Sequence, residues 1–338
     1  MFTDGSGKNG LAVIACSRTE SDKHSGGVLR YWGFGAQCIG RNELDQTLRI
    51  AIREHGDTAD NKKGLMAQRA NLWRLLHERN IKAVIVIPAP PSGAGANEKN
   101  DAWTMLTGRS DNPYGWAGTA ELMDGIYVCP VLNPSGWEWA YHWLIRRWFL
   151  QGLGIARGSI RPRPFSNCGI LTKDYLSVDI ETSKDRTILT FIGVWDSAGA
   201  VSIGWDEYQV AGTARLTSPR TTLEEEYIRE ILASNIPKVG HNLSFDIFEL
   251  RKRGIEVNGE VHYTLLLART VYPQFARGLQ QSTAIEFTVE PWKKLYKAPR
   301  VGRGLDKWIA DPEGTQAYNL KDVLATSWIY EALSAKIS

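Results

Sequence analysis

Tyr175-Leu176-Ser177-Val178-Asp179-Ile180-Glu181-Thr182 is the stretch that decides the reading of the second half of this 338-residue chain. Read as a strand it alternates, with Leu176, Val178 and Ile180 on one side and Ser177, Asp179 and Glu181 on the other. The apolar side is a core face. The opposite side puts two carboxylates together at the strand end, where their repulsion calls for a cation. Carboxylate oxygens are hard ligands that suit Mg²⁺ or Mn²⁺. The same residues also fit a half-exposed strand with two solvated acids, so the pattern needs partners elsewhere in the chain.

Working outward from it, residues 187–196 and 200–205 read as two more strands, joined by the turn Ser197-Ala198-Gly199. Residues 222–234 read as a helix with Leu223, Tyr227, Ile228, Ile231 and Leu232 on one face. Strands followed by a helix suit an α/β domain with a mixed sheet. Lys238-Val239-Gly240-His241 then leads into a helix ending near Gly254, with Leu243, Ile247 and Leu250 as its apolar stripe. Asn242 stands at the start of this helix, where a side-chain acceptor caps free N–H groups. Asp246, four residues later, shares its face. Ala317-Tyr318-Asn319-Leu320-Lys321-Asp322-Val323 opens an amphipathic helix with Leu320, Leu324 and Ile329, and Tyr318 and Asp322 are again four apart.

Taken singly these pairs are bland, but their order is not. Asp179-x-Glu181, then Asn242-x-x-Phe245-Asp246, then Tyr318-x-x-x-Asp322 resembles the DEDD exonuclease superfamily, in its tyrosine subclass. Residues 264–268 (TLLLA), Tyr272-Pro273, Gly278-Leu279, Pro291-Trp292-Lys293 and Tyr318-Asn319 are similar to the proofreading domains of phage family A DNA polymerases. The resemblance covers residues 172–335. One departure is Tyr263, where that family often carries an acid.

The resemblance implies an RNase H-like (DnaQ-like) fold and a 3′→5′ exonuclease that hydrolyses single-stranded or frayed DNA ends by a two-metal mechanism. Two divalent ions, Mg²⁺ or Mn²⁺, are the implied cofactors. In the family's roles, Asp179 bridges both ions, Glu181 and Asp322 hold the ion that activates water, and Asp246 supports the second. Tyr318 orients the water. The implied partners are DNA and a separate DNA polymerase or other replication protein, in a bacterial or phage-infected cell. Nucleic-acid contacts are expected from Thr182, His241, Asn242 and Phe245, although His241 also reads as a plain turn residue and Phe245 as core. Trp292, Lys293, Lys294, Lys297, Arg300 and Arg303, with Lys307-Trp308 beyond, oppose six cations to Asp306 alone. That composition reads as a stacking, cationic grip on a single strand, or as a solvated loop.

The first half reads as a second α/β domain. Residues 11–15 and 83–87 (AVIVI) are apolar strands, residues 44–53 and 65–78 carry helical spacing, and residues 126–132 form another strand before a Trp-rich helix at 138–151. The segment from Leu75 through Leu106-Thr107-Gly108-Arg109 to Asn133-Pro134-Ser135 resembles the C-terminal half of the uracil-DNA glycosylase superfamily. Where that family has histidine, Asn133 stands, and Ala15-Cys16-Ser17-Arg18-Thr19-Glu20 lacks the family's catalytic loop. A non-catalytic glycosylase-like domain, binding DNA or a partner, is therefore expected. The Gly-, Pro- and Arg-rich run from Gly152 to Gly169 has linker composition. It divides the chain into a domain at 1–155, a linker at 156–171 and an exonuclease domain at 172–338.

Composition is that of a globular protein, 43% hydrophobic and 23% charged, with 13 Trp. No run of apolar residues reaches membrane-spanning length, and the first residues lack a secretory signal, so a cytoplasmic protein is expected. Cys16, Cys38, Cys129 and Cys168 form no paired motif, so neither a zinc site nor a disulfide framework is suggested. Residues 1–165 hold 20 Lys and Arg against 15 Asp and Glu, while residues 166–338 hold 20 against 22. The charge is too balanced to announce nucleic acid by itself. Three other functions stay open at this stage: an RNA-trimming exonuclease, a DNA-binding accessory protein with a vestigial site, and an active uracil-DNA glycosylase.

Overall fold

The computed structural model describes residues 2–17, 27–53, 59–88, 101–109, 113–133, 141–165, 175–196, 199–210, 212–217, 220–275, 278–293 and 307–337. The chain is α/β and divides into two compact units. The first comprises Met1–Arg163 together with Phe287–Pro291, and the second comprises Pro164–Glu286 with Trp292–Ser338.

In the first unit the strands are β1 (Phe2–Asp4), β2 (Leu11–Ser17), β3 (Leu48–Arg53), β4 (Ala83–Ile87), β5 (Glu121–Met123) and β6 (Ile126–Pro130). They form one sheet in the order β1-β3-β2-β4-β6-β5. Its four central strands are parallel, with antiparallel β1 and β5 at the edges. Central parallel strands are covered on both faces and so are apolar throughout. Residues 11–15 and 83–87 are accordingly all buried. The tryptophans here are mainly core: Trp103, Trp116 and Trp148 are buried, while Trp143 is 44% exposed. Arg109 forms a two-pronged ion pair with Glu121 and lies over the Trp116 ring, so this arginine is spent on the fold.

Two sequence expectations for this unit are corrected. Residues 44–53 do not form one helix: Arg41–Gln46 is helical, Thr47 is extended, and Leu48–Arg53 is a strand. Leu44, Leu48, Ala51 and Ile52 satisfy helical spacing, but Leu48, Ile50 and Ile52 also alternate. Pairing with β2 on one side and β1 on the other decides for the strand. Gly152 and Gly154 are not linker residues, because the helix runs from His142 to Ala156 and both are buried in it. A Cβ on Gly152 would sit 2.8 Å from Ile85 Cγ1, and one on Gly154 2.5 Å from Ile160 Cδ1. They are glycines because the backbone packs closely there. Residues 18–20, 134–135 and 166–171, which carried other expectations, lie outside the described residues.

The second unit is built on a mixed five-stranded sheet, ordered β13-β12-β7-β8-β9. Its strands are β7 (Leu176–Thr182), β8 (Leu189–Asp196), β9 (Gly199–Gly204), β12 (Lys238–Gly240) and β13 (Val261–Tyr263). A small separate hairpin pairs β10 (Tyr208–Gln209) with β11 (Leu216–Thr217). The strand singled out in the sequence, β7, is central: antiparallel to β8, parallel to β12. Its apolar side, Leu176, Val178 and Ile180, joins Ile192, Val194 and Ile203 in a core closed by Ile228, Leu232, Leu243 and Leu250. Those last four come from the helices Thr222–Ala233 and Leu243–Lys252. The opposite side is covered too, by the long helix Pro312–Ile337, whose Val323 and Leu324 pack with Tyr175, Trp195 and Ala200.

The start of the helix Thr222–Ala233 is set by a capping box. Thr221 Oγ1 accepts from Glu224 N, and Glu224 Oε2 accepts from Thr221 N at 2.7 Å. Only part of its expected apolar face is buried. Leu223 is 77% exposed, and half-exposed Tyr227 turns its hydroxyl to Asp196. Asn242 occupies the N-cap position of the next helix but makes no side-chain capping bond, contrary to expectation.

Candidate metal centre

The site forms where β7 outruns its parallel neighbour. The β7–β12 ladder pairs Leu176 with Lys238 and Ser177 with Val239. Past it the chain of β12 turns away into the helix Leu243–Lys252. The backbone N–H of Ile180, without a ladder partner on that side, donates to Asp246 Oδ1 at 3.1 Å. Asp246 is thereby locked against the strand that carries Asp179 and Glu181. A register irregularity at Glu181/Thr182 marks the strand end beside these acids.

The fourth acid arrives from the long helix. Asp179 pairs across the sheet with Gly193, and the missing side chain of Gly193 leaves space that Asn319 fills. A Cβ there would lie 2.3 Å from Asn319 Oδ1 and 3.0 Å from Val323 Cγ1. Asn319 is fully buried and uses both ends of its amide. Its Nδ2 donates to Asp179 Oδ2 (2.9 Å) and Asp179 O (3.2 Å), and its Oδ1 accepts from Ser202 Oγ (2.7 Å). One turn on, Ser177 Oγ donates to Val323 O at 2.8 Å. These bonds dock the helix so that Asp322 meets the strand acids. One oxygen each of Asp179, Glu181 and Asp322 lies within 4.8 Å of the others.

Two neighbours complete the site. Trp292 Nε1 donates to Asp322 Oδ1 at 2.6 Å, and Lys293 Nζ donates to Asp322 Oδ2 at 2.5 Å and to the Tyr318 hydroxyl at 3.0 Å. The backbone N–H groups of Trp292 and Lys293 both rest on Gln280 Oε1 (2.9 and 2.8 Å). Trp292 is 3% exposed, its ring edge-on to Phe165, so it has no free face for a base. Its role here is to hold Asp322. Lys293 likewise turns its ammonium to Asp322. The sequence hinted at Asn319, one residue from Tyr318, but nothing local marked Gly193, Ser202 or Gln280.

Thr182 is half-buried at the end of β7, and Asn242 is exposed. His241 Nδ1 sits 3.0 Å from Thr264 Oγ1, which accounts for it locally. Phe245 packs partly on the core beneath the Arg186 guanidinium. Lys294, Lys297, Arg300 and Arg303 lie outside the described residues.

Electrostatics follow from this crowding. Burial raises the Asp179 carboxyl well above its ordinary value, and repulsion from Asp322 and Asp246 adds to it, against the Lys293 charge and the Asn319 hydrogen bond. Glu181 is raised for the same reasons: burial first, then Asp179 and Asp322. Asp246 is pushed to about 7, chiefly by burial and against the Ile180 N–H that favours its charged form. The Tyr318 hydroxyl is raised by burial and by Asp322, and is therefore held protonated. For Lys293, burial alone would lower the ammonium's pKa, but the Asp322 carboxylate, with Tyr318 and Asp179, outweighs it and keeps the group charged.

A carboxyl with a higher pKa folded than unfolded makes the folded chain bind more protons, so stability falls as pH rises through the window between the two values. For Asp246 that window runs from 3.8 to about 7. Without metal, the protein is expected to melt at a higher temperature near about pH 5 than near about pH 8. Saturating Mg²⁺ should remove most of this difference, because a bound cation favours the ionised acids. Melting curves in EDTA and in Mg²⁺ check this. A metal-free profile flat in pH would mean that the acids do not crowd one another.

The donor set fits a hard divalent cation: three carboxylate oxygens converge, with a fourth acid against the same strand, in a pocket of excess negative charge. No protein-family model matches the chain, and no curated protein does. Among solved structures it is similar to the POL domain of Pol1 from M. smegmatis, in a complex with DNA primer-template and dNTP. That match has 16% identity and a TM-score of 0.31, over 48% of this chain and 24% of that one. It is also similar to a structure described as the apo form of the nuclease, at 19% identity and a TM-score of 0.35, over 49% of this chain and 74% of the other. The matched part thus spans about a quarter of the polymerase. TM-scores this low define no common fold, and the acids' own geometry has to carry the function. Among the described residues, no helix is long and apolar enough to cross a membrane.

Proposed function

We propose that the second unit is a metal-dependent 3′→5′ exonuclease acting on single-stranded or frayed DNA ends. The observation that carries this reading is the convergence of Asp179, Glu181 and Asp322, from a strand and a helix far apart in sequence, with Asp246 hydrogen-bonded to the same strand. The polarity and the choice of DNA rest on the motif order and flanking text in the sequence.

Asp179, Glu181 and Asp322, with Asp246 beside them, would hold two Mg²⁺ or Mn²⁺ ions. When bound, such ions lower the pKa of water and stabilise the charge on the departing 3′ oxygen. The chain's own residues would do the rest. The carboxylates, kept in place by Asn319, Trp292 and the Ile180 N–H, would fix where the cations sit. The Tyr318 hydroxyl, protonated and held by Lys293, orients the attacking water. Water adds its oxygen to phosphorus, the P–O3′ bond breaks, and a 5′-mononucleotide leaves while the shortened strand keeps its 3′ hydroxyl.

The first unit fits a non-catalytic glycosylase-like domain. Asn133, standing where the family's histidine would be, is fully buried and donates to the Pro88 carbonyl at 2.5 Å, which commits it to the fold. The test is incubation of end-labelled DNA and RNA, single- and double-stranded, with Mg²⁺, Mn²⁺ or EDTA. Stepwise loss from the 3′ end of single-stranded DNA, stopped by EDTA, is the expected result. Absence of metal-dependent products from every substrate would refute the proposal. Preferential trimming of RNA would reassign the substrate, and abasic sites in uracil-containing DNA would overturn the reading of the first unit.

A further inference from the structure

Lys293 is placed differently from the cation of an open nucleic-acid groove. Its side chain is only 29% exposed, its ammonium lies 2.5 Å from Asp322 Oδ2, and it also donates to Tyr318 and stands 5.1 Å from that ring's centre. Asp322 itself is buried, with its other oxygen taken by Trp292. The backbone of the Trp292-Lys293 pair is pinned to Gln280, itself 4% exposed. The stem is therefore anchored at its base, while the four-carbon chain leaves the ammonium free to shift.

We propose that Lys293 is a resident cation that competes with divalent metal for Asp322, and so sets the metal concentration at which the site becomes active. This rests on the exonuclease reading above and adds to it how that site is regulated. Two effects combine. The ammonium uses an acceptor direction of the Asp322 carboxylate, one of the three carboxylates that a metal would also use. It is also a like charge next to an incoming cation, which at a protein-like effective dielectric weakens metal binding on the order of tenfold or more. In return, with no metal bound, it offsets the mutual repulsion of the acids and holds Tyr318 and Asp322 in position.

The experiment is calorimetric titration of the full chain with Mn²⁺, for the parent protein, Lys293→Met and Lys293→Arg, together with melting curves in EDTA. Lys293→Met is expected to bind Mn²⁺ about tenfold more tightly, to melt lower in EDTA than the parent, and to gain more from added Mn²⁺. Lys293→Arg keeps the charge and should stay nearer the parent affinity than that of Lys293→Met, within about threefold of the parent. An unchanged or weaker affinity in Lys293→Met would overturn the proposal and leave Lys293 as a support for Asp322. A Lys293→Arg affinity that follows the methionine variant would also overturn it, since charge would then not be the cause. If neither the parent nor Lys293→Met binds Mn²⁺, the metal-dependent reading falls first and this inference with it.

Discussion

Replacing Asp179 and Glu181 together by alanine is expected to reduce release of nucleotides from a 3′ end on the order of 1,000-fold or more, with single-strand binding retained. Metal-bound charge stabilisation is worth several kcal/mol, and each 1.36 kcal/mol is a factor of ten in rate. These two residues supply two of the three converging oxygens. Single-turnover hydrolysis in Mg²⁺, beside fluorescence anisotropy with a labelled single strand, separates the two effects. Hydrolysis at the parent rate would remove the site assignment. The same variant should melt at a higher temperature than the parent in EDTA at neutral pH. Burial and mutual repulsion make these ionised acids costly to the metal-free fold, and removing them removes that cost. A variant that loses activity while gaining metal-free stability is the signature of a functional acid cluster. An ion pair of structural value would show the reverse.

Gly193→Ala should be damaging out of proportion to one methyl group. The added Cβ would sit 2.3 Å from Asn319 Oδ1 and 2.9 Å from its Cγ. Asn319 cannot simply turn aside, because its amide is bonded to Asp179 and Ser202 at once. The relief available is for the helix Pro312–Ile337 to back away from β8, and that helix carries Tyr318, Asn319 and Asp322. Overpacking of this kind costs about 1–3 kcal/mol of stability, and a shift near 1 Å in reacting groups can cost about 100-fold in rate. Urea unfolding and single-turnover hydrolysis measure the two losses. Parent-like values for both would mean that the close approach of strand and helix does not govern the site.

How much of this was legible beforehand depends on which interaction decides each feature. The alternation in Leu176–Thr182 is a local property, so the apolar side of β7 and the pairing of Asp179 with Glu181 on the other could be read directly. The capping box at Thr221 and Glu224 is local as well, and the structure shows it setting the start of its helix. Where two periods fit equally, sequence could not choose. Leu44, Leu48, Ala51 and Ile52 suit a helix as well as a strand, and hydrogen bonds to β1 and β2 made the choice. Gly152 and Gly154 look like a flexible link until Ile85 and Ile160 are seen pressed against them. Leu223 fits an apolar face, but it is Ile228 and Leu232 that bury against the sheet.

The same division holds at the site. By itself, the sequence determined that the acids exist, in which order they come, that two share a strand side, and that Tyr318 and Asp322 share a helix face, because spacing within one element follows from its own period. Only the tertiary structure decided that Asp322 reaches Asp179 and Glu181, that Asn319 fills the gap above Gly193, and that Trp292 and Lys293 turn inward onto Asp322 instead of outward to a strand of nucleic acid. Those contacts join residues from different elements, 29 positions apart for Lys293 and Asp322 and 140 for Asn319 and Asp179, or hang on a side chain that is missing, and no local pattern encodes either. Packing the long helix against the sheet brings them together.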